Sequence, residues 1–243
     1  MKLSALIIFI FAAFNLLADV KEEEILTPLP CRQYVINGEL EGDFKLLIFL
    51  HGQGQRGNDN TTQITMGKEE LVNYCRDNNI KIVAIFPQCP ESDMWMSIQP
   101  RLNALPAVKP TPSLMEVLNI TEAKAAEFNA SETYITGFSM GGFGTWLAVG
   151  CRPDLYDAAI PLCGAGDLEA VENLINTPIY TVHGTADDIV PVFCSRLMVN
   201  AIWNAGGTDV IYREIPDTGH DCWTETYSSP ATWKWLFSQS RKK

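Results

Sequence analysis

Gly137-Phe138-Ser139-Met140-Gly141-Gly142 places a G-x-S-x-G spacing in the setting that such a spacing needs. Upstream, Glu132-Thr133-Tyr134-Ile135-Thr136 is β-branched and aromatic, which predicts a strand. Downstream, Phe143 to Gly150 predicts a buried helix that opens on glycines. A serine on a tight strand-to-helix turn projects Oγ outward only where its neighbours lack bulk, and Gly137 and Gly141 meet that need. The first amides of the helix, and the positive end of its dipole, point to where an oxyanion would develop. The chemistry expected of Ser139 is nucleophilic attack on an acyl carbon.

A serine hydroxyl needs a base, and the base needs an acid to orient it. The chain has three histidines. His51 follows a buried apolar run in His51-Gly52-Gln53-Gly54. His183 ends a strand in His183-Gly184-Thr185-Ala186-Asp187-Asp188, and His220 lies past the last predicted strand in Gly219-His220-Asp221-Cys222-Trp223. Where loops at the carboxyl ends of strands supply nucleophile, acid and base in that order, only His220 can be the base. Asp187 and Asp188 both suit the acid and spacing does not separate them; Asp167 is a further candidate upstream. Glycines in the His51 loop let backbone amides face the serine, so the amides of Gln53 and Met140 are the expected oxyanion hole. His51 itself is read as organising that loop by hydrogen bonding. The loop lacks the Lys-Ser/Thr ending and the helix-opening G-x-G-x-x-G of a phosphate cradle. No zinc spacing occurs among the seven cysteines, and the chemistry calls for no metal or cofactor.

These residues need elements to hold them. Gln33–Ile36, Lys45–Leu50, Lys81–Phe86, Ala158–Leu162, Pro178–Val182 and Val210–Ile215 read as strands besides the one before Ser139. Helices are expected over Glu69–Arg76, Ser113–Phe128, Leu168–Ile175, Val192–Asn204 and Pro230–Ser238, and a proline-rich loop over Pro100–Pro112. The alternation predicts an α/β fold: a mostly parallel sheet with helices on both faces. Asp187 lies 48 positions after Ser139, and His220 33 after Asp187. Sheet and helices consume those intervals, which leaves no large lid domain and an open mouth. Trp95 and Trp223, with Met94 and Met96, are expected to line that mouth.

At 243 residues, 47% hydrophobic and 19% charged, the chain suits one globular domain. Its net charge of −11 opposes a nucleic-acid or anionic-membrane partner. Lys2, the apolar run Leu3–Leu17 and Leu16-Leu17-Ala18 form a signal peptide over residues 1–18, with the domain over 19–243. The expectation is an exported protein, periplasmic or extracellular, without stable membrane insertion after cleavage. In such a compartment the cysteines allow disulfides.

Dispersed segments carry a resemblance. They are Leu50-His51-Gly52-Gln53-Gly54-Gln55-Arg56-Gly57-Asn58-Asp59-Asn60, Pro87-Gln88-Cys89-Pro90 with Trp95 beyond, the Ser139 turn, His183-Gly184 through Asp187 to Val190-Pro191, and Gly219 to Tyr227. The chain resembles α/β-hydrolases of the compact carboxylesterase/phospholipase-like and dienelactone-hydrolase-like branch. That branch includes secreted predicted-peptidase and polyhydroxybutyrate-depolymerase-like esterases. The resemblance implies Asp187 as the acid, four residues after the histidine of His-Gly. It implies cleavage of carboxylic esters, small or polysaccharide-linked, with acetyl or feruloyl groups the expected class. A serine peptidase of the same fold is the alternative, and a non-catalytic carbohydrate-binding protein on this scaffold a third reading. One departure is Gln55, where the predicted-peptidase group usually carries Glu before its Arg.

Overall fold

Lys45-Leu46-Leu47-Ile48-Phe49-Leu50 and Ile82-Val83-Ala84-Ile85-Phe86-Pro87 present no polar face, so strands made from them must be covered on both sides. In the computed structural model, which describes residues 20–100 and 105–241, they lie inside an eight-stranded sheet. The strands in chain order are β1 (Val20–Ile25), β2 (Cys31–Ile36), β3 (Lys45–Leu50), β4 (Ile82–Pro87), β5 (Met96–Gln99), β6 (Ala107–Pro110), β7 (Glu132–Phe138), β8 (Ala158–Leu162), β9 (Ile179–Gly184) and β10 (Val210–Ile215). The sheet runs β1-β2-β4-β3-β7-β8-β9-β10, while β5 and β6 form a separate antiparallel pair. β1 and β2 are antiparallel to their neighbours; from β4 to β10 every pairing is parallel.

The helices are α1 (Lys68–Asp77), α2 (Pro112–Glu127), α3 (Met140–Cys151), α4 (Phe193–Asn204), α5 (Trp223–Ser228) and α6 (Pro230–Phe237). Strand alternation divides the core in two. Leu46, Ile48 and Leu50 of β3 pack with Leu114 and Val117 of α2, Trp146 of α3 and Met198 of α4. Leu47 and Phe49, on the other face, pack with Leu71 of α1 and Trp233 and Leu236 of α6. Each such fully buried aliphatic or aromatic side chain contributes about 1.5–3 kcal/mol. Eleven of the twelve residues of α3 are buried, which is why that helix has no polar stripe.

α3 also comes closest to the sheet. A Cβ on Gly141 would sit 2.0 Å from the Leu50 carbonyl oxygen, and one on Gly142 2.0 Å from that of Leu162. Its first turn thus rests on the carboxyl ends of β3 and β8, where the candidate residues gather.

Four features differ from the sequence reading. Val20–Ile25, to which the sequence reading assigned no element, is an edge strand paired antiparallel with β2, and its Glu22 accepts from Arg32 Nε at 2.8 Å and Tyr34 Oη at 2.6 Å across the pair. The Pro100–Pro112 segment, read as a loop, contains β6, which pairs with β5 just before it. Leu168–Asn173 is a 3₁₀ helix capped by Asp167 and ends short of Ile175, as the poorer hydrogen-bond geometry of 3₁₀ turns keeps such runs brief. α5 is an additional helix after His220. All seven cysteines are free thiols, and Cys31, Cys75, Cys89, Cys163 and Cys222 are buried as small apolar side chains. The expected signal peptide lies outside the described residues.

The Gly141 contact predicts a stability difference. Gly141→Ala should cost about 3 kcal/mol or more in urea unfolding, because two backbones would have to separate. Gly54→Ala, where a Cβ meets open space, should stay within about 0.5 kcal/mol of wild type.

Candidate active site

Five loops leave the carboxyl edge of the parallel strands side by side, after β3, β7, β8, β9 and β10. Ser139 follows β7 directly, with φ 55° and ψ −121°, in a region that non-glycine residues rarely occupy. Its N–H donates to the Leu162 carbonyl at 3.0 Å and lies 3.3 Å from Cys163 Sγ; its carbonyl accepts from Phe143 N at 3.0 Å. These bonds anchor the strained residue to β8 and to α3.

His220 Nε2 lies 2.8 Å from Ser139 Oγ, and its Nδ1 lies 2.7 Å from Asp187 Oδ2. Asp187 is buried while Asp188 is exposed, which separates the two aspartates. Asp187 Oδ1 accepts from Ile189 N and Val190 N, both at 2.9 Å, so the carboxylate ties its own turn and still offers an oxygen to His220. Burial opposes its ionisation, but the bonds from His220, Val190 and Ile189 outweigh that and hold its carboxyl below the usual carboxylate range. An ionised Asp187 can only accept, so Nδ1 of His220 carries the proton and Nε2 is free to take one from Ser139. Asp167, the further acid candidate, bonds Lys109 instead.

His183 supports the acid loop, a role that the sequence reading did not assign. Its Nε2 lies 2.8 Å from the Val190 carbonyl and 3.2 Å from Asp187 Oδ2, and Nδ1 lies 2.7 Å from Ser195 Oγ. Burial lowers its pKa and keeps the ring neutral. The signal for it was present: a histidine at the buried end of a strand, four residues before the acid.

His51 organises its loop as expected. Nδ1 donates to the Gly52 carbonyl at 2.6 Å and Nε2 accepts from Cys89 N at 2.9 Å. Trp95 Nε1 donates to the His51 carbonyl at 3.1 Å. Arg56 binds the carbonyls of Gln53, Glu91 and Asp93 at 3.1–3.2 Å, so it needs no acidic neighbour at Gln55. Gln53 and Met140 each begin a helical turn, and such first residues have no acceptor within their own turn. Both border the same cleft as Ser139.

That cleft has a volume of about 630 Å³ and mostly apolar walls. Ile98 and Leu105 of the hairpin region, Leu168, Ile189 and Phe193 expose their side chains along it. Trp95 is not a wall residue: it is fully buried, its ring tilted by 58° against that of His51 at 5.2 Å. Its pairing with the His51 carbonyl explains why a tryptophan is found there. Trp223 also lies off the cleft. It packs on Phe138 at 4.5 Å and stands perpendicular to the His220 ring at 5.2 Å, so it flanks the histidine.

Cys163 Sγ, an Asp187 oxygen and a His220 nitrogen lie within 4.8 Å of one another. Burial pushes the Cys163 thiol well above its ordinary value, which disfavours the thiolate that a metal would require. Asp187 and His220 are moreover committed to each other.

Residues 33–231 match the Phospholipase/Carboxylesterase family. The chain belongs to that family. A thermostable esterase of known structure superposes on this carboxylesterase-family chain with a TM-score of 0.80 at 32% identity, over 92% of this chain and 64% of that one. The feruloyl esterase module of Clostridium thermocellum, an S954A mutant complexed with sinapinate, shares the fold with a TM-score of 0.64 at 12% identity, over 92% of this chain and 89% of the module. An uncharacterized secreted protein of Arthroderma benhamiae is 29% identical over 116 residues, which is 35% of this chain and 12% of the relative. This chain therefore spans less than two thirds of the esterase and a small part of the fungal protein. No helix among the described residues is long and apolar enough to cross a membrane.

The buried histidines of this family member predict a pH-dependent stability. Burial pushes His51 down from 6.5 to about 4, with the Gly52 bond opposing only in part. Below pH 6.5 the unfolded chain therefore binds a proton that the folded chain refuses. The His51 contribution is complete above 6.5 and is lost as pH falls towards 4, by about 3 kcal/mol. Lowered His183 acts in the same direction. Urea unfolding between pH 7 and 4.5 should show a smaller decline for His51→Gln than for wild type; an unchanged slope would remove His51 from the explanation.

Proposed function

We propose that this protein is a serine carboxylesterase in which Ser139, His220 and Asp187 act as a catalytic triad. The observation that carries the reading is the unbroken chain of hydrogen bonds, 2.8 Å from Ser139 to His220 and 2.7 Å from His220 to Asp187, at the edge of an apolar cleft. Family membership supports ester cleavage as the reaction class.

In this mechanism His220 Nε2 takes the Ser139 proton as Oγ adds to the ester carbonyl carbon. The carbonyl π pair moves to oxygen, and the Gln53 and Met140 amides stabilise the resulting oxyanion. Asp187 holds the imidazolium by its Nδ1–H. Collapse expels the alcohol, which takes the proton from His220, and leaves an acyl-serine. Water, deprotonated by the same nitrogen, repeats the sequence and releases the acid.

The cleft favours an ester whose acyl part is uncharged and apolar. A feruloyl group or a medium alkyl chain fills its walls; an acetyl group leaves most of them uncovered. Polysaccharide-borne aromatic esters are within this class. Export is also proposed, on the Lys2 and Leu3–Leu17 pattern and on the secreted designation of the fungal relative.

Hydrolysis of p-nitrophenyl acetate, butyrate and octanoate and of methyl ferulate tests the reading. Wild type should turn over the esters, and Ser139→Ala should lose essentially all activity. Asp187→Asn should lower kcat about 10³–10⁴-fold, while Asp188→Asn should stay within about twofold, the range of a solvent-facing substitution. Equal effects of the two aspartates would contradict the assignment, and turnover of peptide amides without ester turnover would favour a peptidase.

A further inference from the structure

The cleft beside Ser139 is polar at two places. One is the Ser139 and Gln53 end. The other is a pair of carboxylates in its wall, Asp167 and Glu169. An uncharged acyl group packed against bare carboxylates would strip their water without replacing it, which is unfavourable.

Neither carboxylate stands bare. Lys109 Nζ lies 2.5 Å from Asp167 Oδ2 and 3.0 Å from Glu169 Oε2. The Asp167 side chain is 13% exposed and that of Lys109 31%, so their pair is partly shielded; Glu169, at 58%, remains solvated. Asp167 Oδ1 accepts from Glu169 N at 3.1 Å, which fixes the carboxylate that Lys109 meets.

The pair also joins two walls. Lys109 is on β6 next to Ala107 and Val108, which border the cleft, whereas Asp167 and Glu169 belong to the segment after β8. A two-stranded hairpin is marginal alone and depends on what it is tied to. This one is rooted where Trp95 bonds the His51 carbonyl and where Thr111 Oγ1 bonds that of Met94. Lys109 adds a tie to the facing segment.

We propose that Lys109 is a specificity-determining residue: by neutralising Asp167 and holding the hairpin to the Asp167–Glu169 segment, it makes this cleft accept uncharged apolar acyl groups. The proposal rests on the esterase reading above. It gives Asp167 a role on the substrate wall in place of one as triad acid.

Three proteins test it: wild type, Lys109→Met and Lys109→Met/Asp167→Asn. For p-nitrophenyl octanoate, kcat/KM should fall about tenfold in the single variant, mainly through KM, and recover most of the loss in the double variant. Acetate, whose acyl part is six carbons shorter, should change less than about twofold throughout. Octanamide binding to each protein carrying Ser139→Ala as well, measured by calorimetry, should follow the octanoate pattern. Equal losses on both esters, no loss with Lys109→Met, or no recovery with Asp167→Asn would overturn the proposal. If octanamide binding follows the pattern but no ester is cleaved, the esterase reading fails while the role of Lys109 in apolar binding stands. If esters are cleaved but octanamide binding is indifferent to Lys109, the role of Lys109 fails alone.

Discussion

One backbone contact governs the rest of this structure: the first turn of α3 pressed against the Leu50 carbonyl at a position with room for no side chain but hydrogen. It brings the amide-bearing end of a buried helix to the carboxyl edge of β3. The chain must then turn within one residue, and Ser139 takes the strain at φ 55° and ψ −121°. Such a conformation costs about 1–3 kcal/mol. Burial of nearly every residue of α3, including Trp146 and Leu147, offsets that cost. The same geometry sets the serine hydroxyl toward His220 and puts Met140, the first residue of α3, directly after it.

Around that turn the three histidines divide by burial. His51 and His183 are enclosed, neutral and bonded on both nitrogens, and each fixes a loop. His220 is the one left with partial exposure, its side chain 19% open, between Ser139 and Asp187. Asp187 shows the same economy of groups: one oxygen closes its own turn and the other orients His220. Trp223, packed between Phe138 and the His220 ring, limits where that ring can lie. Loops at one sheet edge thus bring Ser139, His220 and Asp187 into a single chain of hydrogen bonds.

The parts of this arrangement that were legible in the sequence are those written in local pattern. β3 and β4 are unbroken apolar runs, and the Ser139 turn carries its glycines where backbones must touch. The parts that were not legible depend on contacts between distant segments. Met96–Gln99 and Ala107–Pro110 are short and lie among prolines, so nothing local marked them as a hairpin that walls the cleft. Trp95 suggested a mouth-lining ring by type alone, whereas its partner, the His51 carbonyl, is 44 residues away. Asp187 and Asp188 are neighbours of one type. The resemblance favoured Asp187, and the turn bonds to Ile189 and Val190 supply the physical reason that it is the one folded inward.

The central claim is that Ser139 is a nucleophile activated by His220. The most direct measurement is stoichiometric labelling with an alkyl p-nitrophenyl phosphonate, followed by intact mass and peptide mapping, with His220→Ala as the comparison. One adduct per chain on Ser139, formed with release of one p-nitrophenol and slowed by orders of magnitude in His220→Ala, is the predicted result. An adduct elsewhere, or labelling of Ser139 at the same rate without His220, would contradict it.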